Sequence, residues 1–492
     1  MKQRLKAIFK GPLVFHPPLF AAFPILFLYA YNISETSMSE VWLPLVISVA
    51  AALVLWAVLS LTLCSLAKAG VATAIFLLFF FSYGYIYSLL KLGMFAPKHA
   101  YLLPGMLFIW GYCVYFIGRT KRDFRINTKF SNIMAVVLIA INLFNIVSYQ
   151  VKVARLSDVT PEESSGQSVA SLVELNTMPD IYFIVLDEYA HPDTMNEWYD
   201  YDNSEFINSL EDKGFFIAYE SKTQSSDTPQ VLAQILNMEY LDSEPWSDST
   251  YQRIGQSEVA NILKTEGYQY VVFGNNFARY TWEKYAENNV DFYFDYYGYN
   301  SSRMVTEFTY TLWNTTMLQP FYVYVTGNQY EDSYRCQTLY MLERLKALPE
   351  LDRPKFVFAH FICPHTPFVF GPDGEYIAPA NWFNYEDNQF YLGQYIFIST
   401  EIEKVMDVLL KESEVPPIII LQSDHGTRVN EPMIFHYPVG VNDWQKILNA
   451  MYLPGIGYDT LSDNISPVNT FRLIFNHYFG ANYPLLEDDW EQ

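Results

Sequence analysis

Residues 418–427 read IIILQSDHGT. A run of isoleucine and leucine with no polar alternation predicts a strand buried on both faces, as in the centre of a parallel sheet. The strand then ends on Asp424 and His425 with no residue between them, and Gly426 follows. A chain leaving a core needs only a turn, which Ser423 or Gly426 could make. An adjacent carboxylate and imidazole instead suggest a held cation.

Four further runs share this character: DIYFIVL (180–186), GFFIAYE (214–220), YQYVVFG (268–274) and KFVFAHFIC (355–363). Helical patterns fall between them at 229–241, 256–265, 335–347 and 393–411. Strands alternating with helices predict an α/β domain with a mostly parallel central sheet over 179–492. In such sheets ligands bind beyond the carboxyl ends of the strands.

The region before residue 150 is of another kind. Residues 1–150 carry 12 Lys and Arg against 3 Asp and Glu, a net of +9 within a chain whose total is −22. Apolar runs near 17–32, 41–64, 71–90, 101–118 and 132–149 each approach the ~20 residues that span a bilayer. They predict a five-span α-helical transmembrane bundle, the first span being short and interrupted by Pro24. No small-residue cleavage site follows that run, so it does not read as a signal peptide. Lys2, Arg4, Lys6 and Lys10 precede it, and Arg119, Lys121, Arg122, Arg125 and Lys129 lie between the last two runs. Lys91 and Lys98 weaken this asymmetry without reversing it. The positive-inside rule therefore predicts a cytoplasmic N-terminus and an extracytoplasmic catalytic domain in an inner or plasma membrane. Residues 151–178, polar and poor in aromatics, read as a linker or juxtamembrane helix. Few ionisable residues fall inside the spans, which favours anchoring over transport. The acidic remainder excludes nucleic acid as the main partner. Cys336 and Cys363 could pair in an oxidising compartment, although Cys363 lies within a stretch assigned to the site.

Chemistry gathers at the predicted strand ends. Asp187 and Glu188 follow DIYFIVL, and Asp424 and His425 follow PIIILQS. His360 lies within KFVFAHFIC, with His365 just beyond it. Thr228-Pro229 opens an amphipathic helix, where threonine is a good N-cap and proline suits the first turn. Taken singly, each has a structural explanation: a cap, an Asx-turn or a core histidine. Acids and imidazoles collected along one sheet edge point to a metal site. Two carboxylates, an imidazole and a hydroxyl suit Zn²⁺ or Mn²⁺ better than Ca²⁺. Such an ion would activate the Thr228 hydroxyl as a nucleophile, and a helix N-terminus favours phosphate. His360 and His365 could then serve phosphoryl oxygens or the leaving group.

The order IVLDEY, the Thr228 segment ending LAQILNM, HFICPHTPF, LQSDHG and SPVNTFRLIF resembles the alkaline phosphatase/sulfatase superfamily. It is most similar to the membrane-anchored branch of lipoteichoic acid synthases and lipid A phosphoethanolamine transferases. That resemblance implies metal ligands at Asp187, Thr228, Asp424 and His425. It places the nucleophile at Thr228 and the substrate-phosphate histidines at His365 and His360. Glu188 falls where sulfatases often carry a second acid, and no full second ligand set is present. The C/S-x-P-x-R motif that sulfatases convert to formylglycine does not occur, so sulfate-ester hydrolysis is not expected. The implied reaction moves a phospho-head-group, of phosphoethanolamine or phosphoglycerol type, from a phospholipid donor to an envelope lipid or glycan acceptor through a phosphothreonine. The same site with water as acceptor would be a phosphodiesterase or phosphatase, and loss of chemistry would leave a binding scaffold. Aromatic runs at 282–300 and 381–395 could stack on sugars, but they read more simply as packing.

Overall fold

The computed structural model describes residues 13–33, 36, 38–91, 98–157, 178–241, 246–275, 281–286, 289–296, 306–326, 329–351, 354–378, 384, 387–427 and 443–487. Most of the expected linker, 158–177, lies outside these, as do parts of the aromatic runs at 287–288, 297–300, 381–383 and 385–386. The chain divides into two compact units, one of residues 1–162 with 303–330, the other of 163–302 with 331–492. The expected division into 1–150, 151–178 and 179–492 does not foresee that 303–330 groups with the N-terminal helices.

The smaller unit contains helices α1 (His16–Tyr31), α2 (Met38–Leu63), α3 (Leu66–Lys91), α4 (His99–Arg119) and α5 (Arg125–Ser157). Four of them are long and apolar enough to cross a membrane: Met38–Leu63, Leu66–Leu90, His99–Arg119 and Arg125–Val151. The described 16 residues of α1 rise only about 24 Å against a hydrocarbon core about 30 Å thick, so among the described residues four helices meet the requirement and the fifth expected span is not confirmed. α1 is nonetheless built into the bundle. Asn132 of α5 accepts from the backbone N–H groups of Phe15 and His16 at 3.3 and 3.1 Å, and donates to Leu13 O at 2.8 Å. Those bonds satisfy amides that a helix start leaves without partners.

The larger unit is built on a seven-stranded sheet: β1 (Ile181–Leu186), β2 (Phe216–Ile217), β3 (Gln269–Phe273), β4 (Phe292–Phe294), β5 (Lys355–Phe361), β6 (Ile418–Ser423) and β7 (Asn449–Tyr452). Their order is β2-β7-β6-β1-β5-β3-β4. β1, β3, β4, β5 and β6 are mutually parallel, whereas β7 runs antiparallel to both β6 and β2. The three central strands, β6, β1 and β5, are buried at every residue, because a large apolar cluster covers each face of the sheet. The mixed edge was not legible: NAMY (449–452) is short and lacks β-branched residues.

Helices α6 (Thr228–Asn237), α7 (Glu307–Thr315), α8 (Asn388–Glu412) and α9 (Thr470–Tyr478) complete the elements used below. α6 and α9 cover one face of the sheet and α8 the other. Within the aromatic runs, Trp282, Tyr391 and Tyr395 are fully buried and so serve packing.

Candidate active site

Register places the acids. β1 lies between β5 and β6, with Leu186 opposite Ser423 on one side and opposite Phe361 on the other. Parallel strands sit about 4.8 Å apart, so the residues that follow Leu186 and Ser423 must be neighbours. Asp187, Asp424 and His425 accordingly bring one ligand atom each to within 4.8 Å of one another, and all three are buried.

The local bonds leave the correct atoms open. Asp424 Oδ1 accepts from the backbone N–H groups of His425 and Glu188, at 2.9 and 3.1 Å. Its other oxygen, Oδ2, and Asp187 Oδ1 are buried without a hydrogen-bond partner. Unpaired buried carboxylate oxygens are costly, and a bound cation would satisfy both. His425 Nδ1 lies 2.8 Å from Gly426 O, an acceptor, so Nδ1 carries a proton and Nε2 is the nitrogen turned toward the acids. Nε2 is 3.7 Å from Asp187 Oδ1 and 3.6 Å from Asp424 Oδ2. Two carboxylate oxygens and a neutral imidazole nitrogen fit a divalent metal of the zinc or manganese kind.

Two backbone features hold this geometry. Glu188 adopts φ +62°, a left-handed conformation that costs a residue with a side chain on the order of 1–2 kcal/mol, and its N–H meets Asp424. Gly426 donates to Trp444 O at 2.7 Å. A Cβ at Gly426 would lie 2.7 Å from Asp443 O and 2.8 Å from Lys446 O, so the SDHG turn needs glycine for close approach.

The remaining expected residues divide. His360 is fully buried opposite Val185. Its Nε2 is 3.2 Å from Asp187 Oδ2, and its Nδ1 lies 3.2 Å from the Asn275 amide, which also donates to His360 O at 2.7 Å. In that setting His360 is positioned to orient Asp187 from within the sheet. His365 is partly exposed, with Nε2 3.9 Å from Glu188 Oε2, and is open to a substrate. Burial works against a charge on His365, but Asp187, Glu188, the Thr366 carbonyl and Asp424 outweigh it and hold its pKa above the ordinary value. Burial likewise disfavours ionised Asp187, yet His365, His360 and His425 hold its carboxyl below the usual range.

Thr228 is the first residue of α6, and the N-cap is Asp227 rather than Thr228. Asp227 occupies that position without a side-chain cap bond, and its Oδ1 accepts from Trp246 Nε1 at 2.9 Å instead. The segment before it runs beside residues 443–447: Thr223 N donates to Gln445 O at 2.9 Å, and Lys222 bridges Lys446. Ala190 bridges Ile447 in the same stretch. One strip of chain thus ties the Thr228 segment to the loops that carry Asp187 and Asp424. Cys336 and Cys363 are both free thiols.

α8 supplies residues that sequence reasoning missed. Gln394 donates to Pro364 O, His365 O and Pro367 O at 3.0, 2.8 and 3.4 Å, and accepts from Val369 N and Phe370 N at 2.8 and 3.2 Å. Tyr391 donates to Glu188 O at 2.7 Å and accepts from Ala190 N at 3.1 Å. A buried glutamine looks like a surface one in sequence, so Gln394 gave no signal. Asn275 gave a weak one, as a polar residue just past the β3 run. Gln394→Leu leaves several buried backbone groups unpaired and is expected to cost about 2–4 kcal/mol, read as a lower urea midpoint of full-length protein.

The sulfatase family model matches residues 179–471, more than half of the chain. The chain belongs to the sulfatase family. It is therefore a member of an enzyme family, here joined to apolar helices long enough to cross a membrane. Among solved structures, the C-terminal periplasmic domain of EcEptC from Escherichia coli in complex with Zn is 12% identical, with a TM-score of 0.42, over 61% of this chain and 82% of that one. The lipooligosaccharide phosphoethanolamine transferase A (EptA) from Neisseria meningitidis is 13% identical, with a TM-score of 0.41, over 96% of this chain and 94% of its own. The lipoteichoic acid synthase LtaP from Listeria monocytogenes is 12% identical, with a TM-score of 0.40, over 61% and 71%. Comparison with curated proteins finds no match.

Proposed function

We propose that this sulfatase-family enzyme transfers a phospho-head-group, of phosphoethanolamine or phosphoglycerol type, from a phospholipid to an envelope lipid or glycan through a phosphothreonine at Thr228. The observation that carries the reading is the buried trio Asp187, Asp424 and His425, with unpaired oxygens facing one point, in a chain that also carries apolar membrane-length helices. Asp187, Asp424 and His425, with Thr228, would hold one divalent metal, zinc or manganese. The metal would supply Lewis acidity toward phosphoryl oxygens and favour the ionised threonine hydroxyl.

The chain's own residues do the rest. Asp424 and His425 are fixed by backbone bonds, and His360 fixes Asp187, so the site is set before substrate arrives. Thr228 Oγ1 attacks the donor phosphorus while the phosphorus–oxygen bond to diacylglycerol breaks. His365, beside Glu188, would give that leaving oxygen a proton. An acceptor hydroxyl, losing its proton to His365, then attacks phosphorus and releases Thr228. Exchange of one phosphodiester for another needs no nucleotide. Membrane anchoring, with α1 as a fifth crossing beside the four long helices, keeps the site near its donor. The positive charge before α1 and around residues 119–129 supports a cytoplasmic N-terminus and an extracytoplasmic catalytic unit.

The test uses full-length protein in liposomes that contain a fluorescent phospholipid. Diacylglycerol is expected to appear together with a head-group-modified acceptor, both lost on chelation. Release of head group to water alone would favour the phosphodiesterase reading.

A further inference from the structure

The larger unit is strongly acidic, yet residues 308–330 (FTYTLWNTTMLQPFYVYVTGNQY) contain no charged side chain and seven aromatic ones. The chain leaves the larger unit at 302, joins the helical unit, and returns at 331. Within the helical unit this segment is seated on the bundle. α7, capped by Thr306 and Thr309, places Phe308 among Ile25, Tyr29 and Val41. Met317 packs with Tyr83 and Met106, and its backbone N–H donates to Phe80 O at 2.9 Å.

Gly84 of α3 makes the seat possible. A Cβ there would lie 2.0 Å from Asn314 O and 2.9 Å from Thr315 Cα, so backbone meets backbone at that point. Tyr29 is near the end of α1, Val41 near the start of α2, Tyr83 late in α3 and Met106 early in α4. These helices alternate in direction, so all four residues belong to one end of the bundle. It is also the end at which α5 finishes, since Ile146 packs in the cluster of Phe308.

After Met317 the segment turns outward. Leu318, Phe321, Tyr324 and Val325 are exposed, Tyr324 at 88%, and no charge interrupts them. Aromatic and aliphatic side chains at the end of membrane-crossing helices match the belt found at the bilayer interface, where tyrosine has an apolar body and a polar tip.

We propose that residues 306–326 are a phospholipid-docking element, with Leu318, Phe321, Tyr324 and Val325 immersed in the headgroup boundary of the bilayer. Because the chain enters and leaves this element from the larger unit, it ties that unit to the bilayer a second time, independently of the connection after α5. The inference stands on packing and composition and does not depend on the reaction.

The test places a spin label at position 324 (Tyr324→Cys) in full-length protein lacking Cys64, Cys113 and Cys336, in nanodiscs of phosphatidylethanolamine and phosphatidylglycerol. Collisional access to oxygen is expected to exceed access to a nickel chelate, as for a control label at Phe108→Cys, an exposed position on α4. Nickel access equal to that of a label at Tyr219→Cys, exposed on the larger unit, would overturn the proposal. Shielding from both reagents would also overturn it, by showing a protein surface such as a second copy over the patch. Gly84→Leu should raise nickel access at position 324 while leaving the Phe108 label unchanged. An unmoved 324 label in that variant would contradict the Gly84 seat.

Discussion

Thr228→Ala is expected to lower turnover by about 10⁴-fold or more, the scale seen when a covalent nucleophile is removed, with little change in thermal stability. The reason is position. Thr228 starts α6 but does not cap it, because Asp227 occupies the N-cap, so losing the hydroxyl removes chemistry rather than a helix cap. Steady-state release of diacylglycerol from phospholipid vesicles measures the loss, and circular dichroism checks the fold. Thr228→Ser should keep a hydroxyl at the same place and retain a measurable fraction of the rate. Wild-type turnover in Thr228→Ala would remove the phosphothreonine.

Asp424→Asn is expected to abolish metal-dependent stabilisation while leaving the metal-free fold near normal. Asparagine keeps an oxygen for the His425 and Glu188 amides, but it turns an N–H toward the point that Oδ2 now faces. Binding at a hundredfold excess over Kd stabilises the folded state by about 2.7 kcal/mol, or roughly 4 °C for a unit of this size. Wild type should show that rise with zinc or manganese and lose it to chelator. The variant should show almost none in differential scanning calorimetry, together with a turnover loss comparable to that of Thr228→Ala. A full metal shift in Asp424→Asn would place the ion elsewhere.

The strand ends were legible because their signal is local. Runs such as IVL-DE and LQS-DH each show where a buried strand stops, and the parallel register makes their ends meet. The trio Asp187, Asp424 and His425 therefore followed from the sequence pattern. The contact of His360 with Asp187 was not legible, because a strand carrying one histidine does not show which way the ring faces. The Asn275 amide and the Asp187 carboxylate help to hold it inside the sheet. Gln394 and Tyr391 could not be found at all, since what they hold is backbone more than 20 residues away in the chain. β7 was hidden by its short, mixed composition, and the apolar character of α1 does not by itself fix whether its 16 residues cross the bilayer. The 303–330 excursion leaves a trace in sequence, an uncharged aromatic run inside an acidic domain. Reading it required knowing what the run packs against.

The most direct measurement is the mass of the tryptic peptide 223–253, which carries Thr228 between Lys222 and Arg253, taken from full-length protein quenched during turnover on phospholipid vesicles. A phosphothreonine intermediate requires an added phospho-head-group on Thr228, absent in Thr228→Ala and absent after chelation. Unmodified peptide under conditions in which diacylglycerol is being released, or an adduct on another residue, would contradict it.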